Sequence, residues 1–358
     1  MEPIIQWVGG KKRLLNKIKF LMPKEFNTYH EIFLGGGCLL LNIEPETSYN
    51  IEKNINIFMI YENIKNHKDI IVEKLKKIES EYLNDCEDRK EYYIDKRTIF
   101  NTLTYYNTKD SIYKTVILLF LNKTCFNALY RENSKGGFNV PFGNGKDCCI
   151  YNEERINNLF DFINKPNTHI VNEDFEYCLQ NIKEGDFVYI DPPYYPLNKA
   201  SFTNYDKSGF GIEDHDRLIN MIKTLDKKKV NIMLSNSNNS YFKDKLKELN
   251  IYEISVARTL NCKKENRRAS KCEVIMTNYN LNKIIELNIK KKDYELLNET
   301  DNITLKVSGK NLYYCYNNIN LSKVEDNIKN LLLDNKFTFK LHDKKNEGDK
   351  YYIKILIG

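Results

Sequence analysis

The sequence has no apolar run long enough to cross a membrane, no C-x-x-C pair and no histidines at metal-ligand spacing. A membrane-spanning helix needs about 20 consecutive, mostly apolar residues, so no such helix is predicted. The nine cysteines of this 358-residue chain are an odd number, without the pattern of a disulfide framework or a zinc ribbon. We therefore expect reduced thiols, a cytoplasmic protein and no bound metal.

Proline and glycine are scarce toward the end of the chain, where no proline follows Pro196 and three glycines follow Gly211. Nine of the 15 glycines lie in three clusters, at residues 9–10, 35–37 and 136–145. Because glycine adopts turn conformations that other residues avoid, we expect any functional site in the first two-thirds. The net charge of +6 is a mild surplus that permits a nucleic-acid partner without requiring one.

Short apolar segments typical of strands alternate with helical segments. The predicted strands are 28–33, 48–52, 168–174, 186–191 and 230–236, and residues 54–81 have the periodicity of a long helix. This alternation predicts an α/β fold with a mostly parallel sheet that is covered on both faces. Ligands of such sheets bind beyond the carboxyl ends of the strands.

The alternation is interrupted between residues 82 and 150, which are helical around 111–121 and then form a loop rich in Gly, Asn and Pro. We predict an inserted subdomain at 82–150. Residues 1–81 and 151–282 are then predicted to form one main domain.

Residues 283–358 differ in composition and are predicted to form a small α+β module. Residues 303–307 and 311–316 resemble a hairpin, and Ser322 with Glu325 has the pattern of a capping box at the start of a helix. Two further strands are predicted at 337–341 and 351–357.

The most specific motif is Asp191-Pro192-Pro193-Tyr194, which begins where a predicted buried strand ends. An exocyclic aryl amine is a weak nucleophile because its lone pair is delocalised into the ring. The Asp191 carboxylate and the Pro192 carbonyl can accept both amine hydrogens and turn the lone pair toward an incoming methyl group. The prolines fix φ, and Tyr194 offers a ring face for stacking. The motif predicts methyl transfer to a planar amine, driven by positioning and electrostatics.

A glycine turn, Phe33-Leu34-Gly35-Gly36-Gly37, follows the first predicted strand and lets the backbone approach a nucleoside cofactor closely. Glu52 ends the next predicted strand, where a carboxylate can bind two ribose hydroxyls. A pyrophosphate dinucleotide favours G-x-G-x-x-G, whereas Cys38-Leu39 follows this turn. The pattern therefore favours S-adenosylmethionine over NAD.

The segment Gln6-Trp7-Val8-Gly9-Gly10-Lys11 holds the single tryptophan of the chain beside a Gly-Gly turn and a lysine. Taken alone, it fits a buried tryptophan at a tight turn equally well. Beside the other motifs, we interpret it as one wall of the cofactor site with a lysine that binds a carboxylate.

Basic, amide and aromatic side chains are combined with a Gly-rich loop in residues 121–143. These side chains suit contacts with base edges and phosphates, and an aromatic wedge between bases. A polar surface loop is the alternative interpretation.

In this order along the chain, the motifs resemble those of the Dam-like (D12) class of DNA adenine-N6 methyltransferases. The resemblance covers residues 4–280 and includes the segments 201–205, 234–236 and 266–271. It implies a Rossmann-like methyltransferase fold, S-adenosylmethionine as cofactor, and double-stranded DNA as the partner of a monomer or weak dimer. Whether a cognate restriction endonuclease accompanies the protein stays open.

The resemblance also implies roles for individual residues. The implied cofactor-binding residues are Trp7, Lys11, Phe33, Gly35, Gly36, Gly37, Glu52 and Asp191, with Asp174 as a weaker candidate for the adenine ring of the cofactor. The implied catalytic residues, which hold the target base, are Asp191, Pro192 and Tyr194. Phe126 resembles the wedge that fills the base stack when the adenine flips out. The other implied DNA-binding residues are Gln6, Lys123, Asn127, Leu129, Arg131, Asn133 and Pro141.

Two positions depart from the pattern of the family. Relatives that methylate GATC carry a lysine immediately before the tryptophan, where this chain has Gln6, and glutamine pairs better with adenine. We therefore expect GATC or a related short site with a changed outer base. Glu52 stands where aspartate is commoner, and we expect this longer side chain still to reach the ribose.

Other functions fit the same residues. The Asp191–Tyr194 motif also suits an RNA or protein amide methyltransferase, although Lys123, Asn127 and Arg131 favour duplex DNA. A catalytically silent DNA-binding protein is a third alternative, which the intact motif and glycine turn disfavour. The lysines of the C-terminal module either extend the DNA footprint or solvate a surface.

Overall fold

The structure is a computed structural model that describes most of the chain. The described residues are 1–7, 9–143, 149–195, 210–256, 270–281, 283–297, 303–308, 311–316, 319–326, 328–335, 337–347 and 350–357. The motif segment 201–205 and residues 266–269 of the basic tract therefore lie outside the described residues.

The described residues divide into two compact units. The first unit takes its residues from 1–12, 27–192 and 198–230, and the second from 13–26, 193–197 and 231–358. The boundaries predicted for the inserted subdomain and the C-terminal module stay predictions.

The first unit is built on parallel strands whose side chains are mostly buried. They are β1 (Tyr29–Glu31), β2 (Ser48–Ile51), β3 (Thr168–Val171) and β4 (Phe187–Ile190). They pair in the order β3-β2-β1-β4, each parallel to its neighbour. The predicted Rossmann-like α/β class with a mostly parallel sheet is confirmed. Because β2 and β4 flank β1, the strand order reverses at β1, which is where doubly wound sheets bind ligands.

The α-helices were predicted less completely than the strands of the first unit. In chain order, they are α1 (Leu15–Leu21), α2 (Leu40–Ile43), α3 (Ile55–Ser80), α4 (Arg89–Thr102), α5 (Thr108–Thr124), α6 (Glu153–Ile163), α7 (Ile212–Lys227), α8 (Ser240–Lys245), α9 (Lys291–Leu296) and α10 (Lys329–Asp334). Helix α3 matches the predicted segment 54–81, and the Asn54 side chain caps it by accepting from the backbone of Asn56 and Ile57. Helix α4 was not predicted, because it buries only Tyr93 and Phe100 and its apolar stripe is correspondingly narrow.

The second unit contains antiparallel strands in three groups. Its strands are β5 (Asn231–Ser237), β6 (Asn250–Val256), β7 (Ser270–Thr277), β8 (Lys283–Ile289), β9 (Thr304–Ser308), β10 (Asn311–Tyr316), β11 (Ile319–Lys323), β12 (Phe339–Glu347) and β13 (Lys350–Ile357). The groups have the orders β5-β7-β6, β11-β10-β9 and β12-β13-β8.

The C-terminal predictions had mixed outcomes. The hairpin is confirmed, since Ser308 lies opposite Asn311 in the β9–β10 pair, and β12 and β13 confirm the two final strands. The prediction of a helix capped by Ser322 is wrong. Ser322 lies in β11 opposite Tyr314 of β10, and the next helix begins at Lys329. The capping pattern is local, and strand pairing with β10 overrides it.

Candidate active site

The predicted cofactor residues meet at the carboxyl ends of β1, β2 and β4 in the first unit. β4 is buried along its whole length, and Asp191 directly follows it. The Nζ of Lys11 lies 2.6 Å from Oδ2 of Asp191, with 6% of the lysine side chain exposed and 19% of the aspartate side chain. Lys11 also donates to the Gly9 carbonyl at 2.8 Å. A buried ammonium thus holds the Asp191 carboxylate at the strand tip.

Glu52 follows β2 and connects two loops through its carboxylate. Its Oε2 accepts a hydrogen bond from the Gly35 N–H at 2.6 Å, and its Oε1 accepts one from the Asn54 N–H at 2.7 Å. Glu52 is 7% exposed, and this burial raises the pKa of its carboxyl to about 7, opposed by the two backbone donors. The glycine turn after β1 and the start of α3 are therefore held on one side chain.

Gly35 fits beneath the indole of Trp7. Its φ is +50°, and a Cβ at this position would lie 2.7 Å from the nearest indole atoms. The hydroxyl of Tyr61 donates to the Gly35 carbonyl at 2.8 Å. Any side chain at residue 35 would displace Trp7, so the glycine turn and the tryptophan depend on each other. Tyr61 belongs to α3 and was not singled out from the sequence.

Glu31 is a second buried carboxyl at this end of the sheet. It is the last residue of β1 and accepts from the Tyr29 hydroxyl at 2.8 Å and from the Leu40 N–H at 3.0 Å. Burial raises the pKa of this carboxyl to about 8, and the charge of Asp191 adds to the effect while Lys11 opposes it. No role was predicted for Glu31 from the sequence.

Phe33 belongs to an aromatic cluster beside the glycine turn. Its ring stacks on Phe175 with centroids 5.5 Å apart and meets Phe210 edge-on at 5.7 Å. The weaker candidate Asp174 precedes Phe175, and its carboxylate pairs with Arg217 at 2.7 Å and with Lys53 at 2.9 Å. Phe175 and Phe210 were missed because no spacing links them to the glycine turn.

The predicted DNA-recognition segment folds back on itself after α5. Isolated antiparallel bridges join Cys125 to Phe142 and Glu132 to Phe138. Directly after Cys125, residues Phe126–Ala128 form a 3-10 turn in which Asn127 has a φ of +54°. The side chain of Phe126 at this turn is 50% exposed. An exposed phenyl ring therefore lies at the turn.

Several predicted DNA-binding residues contact their own hairpin. The Nε of Arg131 donates to Oδ1 of Asn139 at 2.7 Å. Oδ1 of Asn133 accepts from the backbone of Lys135 and Gly137, so its side chain shapes the turn.

The other candidates of this segment differ in exposure. Leu129 and Lys123 are half-buried, and Pro141 is exposed while its carbonyl accepts from the Phe126 N–H at 2.9 Å. Gln6 lies outside the hairpin, with an exposed side chain and with its backbone N–H and carbonyl both bonded to the Asn122 amide at 2.8 Å.

Tyr194 belongs to the second unit, where its surroundings fix its ring. Its hydroxyl donates to Oε2 of Glu273 in β7 at 2.8 Å. The next residue, Tyr195, donates its N–H to Oδ1 of Asn236 at 3.3 Å and accepts from the Ser237 hydroxyl at 2.9 Å. Asn236 falls within the motif segment 234–236, but Glu273 has no sequence signal.

The described residues contain no group of three or more His, Cys, Asp or Glu side chains that could hold a metal ion. In the same part of the chain, no helix is long and apolar enough to cross a membrane.

The chain is similar to known DNA methyltransferases over most of its length. A family model described as D12 class N6 adenine-specific DNA methyltransferase matches residues 7–260. The type II methyltransferase M1.LlaDCHI of Lactococcus lactis subsp. cremoris is 35% identical over 280 residues, covering 78% of this chain and 96% of that protein. The type II methyltransferase M.MjaIII of Methanocaldococcus jannaschii is 38% identical over 291 residues, covering 78% and 99%. The DNA adenine methylase of Haemophilus influenzae is 29% identical over 269 residues, covering 74% and 90%.

The buried Glu31 carboxyl predicts a specific pH dependence of stability. Because its pKa is raised to about 8 in the folded protein, the stability that its protonated form provides is complete below about pH 4.5 and is lost as the pH rises toward 8. Between pH 6 and 8, the free energy of unfolding should fall by about 2 kcal/mol more in the wild type than in Glu31→Gln. Urea titrations at both pH values measure this difference. Glu286→Gln, at an exposed position of β8, is the control, and equal losses in the wild type and Glu31→Gln would contradict the prediction.

Proposed function

Because the chain belongs to the family of D12 class N6 adenine-specific DNA methyltransferases, we propose that it transfers the methyl group of S-adenosylmethionine to N6 of an adenine flipped out of a short DNA site. Its family makes it a site-specific adenine DNA methyltransferase that uses a methyl donor. The observation that supports the mechanism most is that residues from three separate parts of the sequence and the glycine turn meet at the strand ends. Lys11 pairs with Asp191, and Glu52 and Trp7 both contact Gly35.

The residues at the strand tips fit S-adenosylmethionine. A carboxylate has about four lone-pair sites, so the two that Glu52 gives to Gly35 and Asn54 leave two for the ribose hydroxyls. The absence of a side chain at Gly35 lets the Trp7 indole pack directly on the turn, and the Phe33 ring offers an apolar surface to the nucleoside. Lys11 suits the carboxylate of the methionine portion of the cofactor. Asp174 is the weaker candidate for binding the adenine amine of the cofactor. When bound, the cofactor supplies an electrophilic methyl group on a sulfonium.

Asp191 and Pro192 provide the acceptors for the target amine. The Asp191 carboxylate and the Pro192 carbonyl each accept a hydrogen bond from one N6 hydrogen, which moves the nitrogen toward tetrahedral geometry and exposes its lone pair. As the methyl group passes to N6, the carbon–sulfur bond breaks to release S-adenosylhomocysteine, and N6 then loses one proton. Lys11, 2.6 Å from Asp191, keeps that carboxylate in one orientation. The Tyr194 ring would stack on the base, and its bond to Glu273 limits its rotation. Preorganised groups of this kind act by alignment and charge, without covalent chemistry of their own.

The hairpin between α5 and α6 is the proposed DNA-reading element. The exposed Phe126 would fill the space that the flipped adenine leaves. The residues proposed to read or steady the site are Gln6, Lys123, Asn127, Leu129, Arg131, Asn133 and Pro141. We propose GATC or a site that differs from it in an outer base read by Gln6. The protein would act as a monomer or weak dimer, with or without a cognate restriction endonuclease.

Sequencing of DNA from an expressing cell tests the proposal directly. We expect N6-methyladenine in one short motif, either at every GATC or at a related motif with a changed outer base. Transfer of tritium from labelled S-adenosylmethionine to duplex DNA, RNA and protein separates the alternatives. Label in RNA or protein but not in DNA would contradict the proposal.

Asp191→Ala should abolish methyl transfer while cofactor binding is weakened but measurable. The substitution removes one acceptor of the target amine and the partner of Lys11. Transfer assays with calorimetric titration of S-adenosylhomocysteine measure both effects. Asp161→Ala, on the exposed side of α6, is the matched control, and full activity of Asp191→Ala would overturn the proposed acceptor.

Cofactor affinity should fall as the pH is lowered from 8 to 6. The Glu52 carboxyl has a pKa of about 7 because it is buried, and its charged form is the stronger acceptor for ribose hydroxyls. Glu52→Gln should bind about 10- to 100-fold more weakly at pH 8 and with little pH dependence, as expected for the loss of hydrogen bonds to a charged group. Calorimetry with S-adenosylhomocysteine measures this, with the exposed Glu184→Gln as control. A wild-type affinity independent of pH would contradict it.

Arg131→Ala should reduce discrimination between the target site and sites with one changed base pair. Loss of one bidentate contact to a base costs about 1–3 kcal/mol of discrimination. Competition assays with single-substituted duplexes locate the base pair affected. Lys135→Ala on the exposed turn of the same hairpin is the control, and unchanged discrimination would remove Arg131 from the reading set.

A further inference from the structure

The reading hairpin is the proposed DNA-reading element at residues 125–142, which two antiparallel bridges hold. Its residues 129–133 have two different sides. Tyr130 and Glu132 are half-buried, whereas Arg131 and Asn133 are exposed. Successive side chains of an extended chain point to opposite sides. Tyr130 and Glu132 therefore face the protein, and Arg131 and Asn133, which have proposed reading roles, face away from it.

Tyr130 contacts both the cofactor wall and its own hairpin. Its ring centroid lies 5.2 Å from that of Trp7 and 5.7 Å from that of Phe138. Its hydroxyl accepts from Nδ2 of Asn56 at 2.8 Å and donates to Glu132. A single side chain thus lies against the proposed cofactor wall and is bonded to a neighbour of the reading residues.

The partners of Tyr130 lead back to Glu52. Asn56 is 8% exposed, and its amide donates to Glu132 at 3.1 Å and accepts from the Tyr105 hydroxyl at 2.8 Å. Asn54 lies 3.5 Å from the Tyr130 hydroxyl through Nδ2, and its backbone N–H donates to Glu52. The start of α3 is therefore bonded to the proposed ribose ligand and to the reading hairpin.

The charge of Glu132 supports a structural role for this side of the hairpin. A carboxylate directed at DNA would be repelled by the phosphates. Glu132 instead accepts from Tyr130 and Asn56. Hydrogen bonds from within the protein thus compensate the negative charge of Glu132. The basic Arg131 remains on the exposed side.

We propose that Tyr130 is a positioning residue shared by the cofactor pocket and the reading hairpin, so that cofactor binding and DNA binding strengthen each other. This inference rests on the proposed function. A cofactor against Trp7 and Glu52 fixes the groups that hold Tyr130, and Tyr130 fixes the segment of the hairpin that carries Leu129 and Arg131. By linkage, each ligand must then raise the affinity for the other by the same factor.

The test compares the wild type with Tyr130→Phe, which keeps the ring on Trp7 and Phe138 and removes only the hydroxyl. The affinity for an unmethylated duplex that contains the target motif found by sequencing is measured by fluorescence anisotropy. The measurement is made with and without sinefungin, an unreactive cofactor analogue. The affinity for sinefungin is measured by calorimetry with and without that duplex. In the wild type we expect each ligand to tighten the other about tenfold, within the usual range for coupled sites. In Tyr130→Phe the factor should fall below about twofold, while the affinity for each ligand alone changes little. Tyr106→Phe, at a 96% exposed tyrosine of the same region, should keep the wild-type factor.

The outcomes separate this inference from the proposed function. Full coupling in a folded Tyr130→Phe variant would overturn it, as would a wild type that binds both ligands without coupling, and both results leave the proposed function standing. A wild type that binds neither ligand would overturn both. A loss of melting temperature with coupling intact would show that Tyr130 is only structural. Should Tyr130→Phe fail to fold, Glu132→Ala removes the acceptor of the same hydroxyl and should show the same loss of coupling, and full coupling there would overturn the inference.

Discussion

A buried carboxylate between two backbone N–H groups holds the candidate active site together. One carboxylate oxygen of Glu52 accepts a hydrogen bond from the Gly35 N–H, and the other accepts one from the Asn54 N–H. Burying this charge is unfavourable, which is why its pKa rises to about 7, and the two backbone donors offset part of that cost. In return, the turn after β1 and the helix after β2 keep fixed positions. Trp7 then packs over Gly35, and Tyr130 packs against Trp7.

The strands of the first unit and the candidate ligand-binding residues were predictable because each depends on local sequence. A short, fully apolar run such as Phe187–Ile190 is typical of a buried parallel strand, and an acid or a glycine turn at a strand end points to the ligand edge of such a sheet. The contacts among these parts were not predictable. Nothing in the spacing of Trp7 and Gly35 indicates that one indole fills the space that a Cβ would occupy.

The errors and omissions have physical causes. Ser322 has the local pattern of a helix cap, but pairing of β11 with β10 overrides it. No role was assigned to Glu31, Phe175 or Tyr130 from the sequence, since their importance comes from burial and from their contacts in the fold. For Arg131, the motif indicates a role but not the orientation of the side chain. Its role as a base reader was inferred from sequence, whereas its bond to Asn139, which orients the guanidinium before DNA arrives, is visible only in the fold.

The single tryptophan of the chain allows the most direct test of this account. Because Trp7 lies against the glycine turn and beside Tyr130, its fluorescence reports on the pocket and on no other place. Titration of the full-length protein with S-adenosylmethionine should change the emission in a saturable way, at one molecule per chain and with the affinity that calorimetry gives. Saturable binding by calorimetry with no change in tryptophan emission would contradict the claim that Trp7 and the glycine turn form the cofactor site.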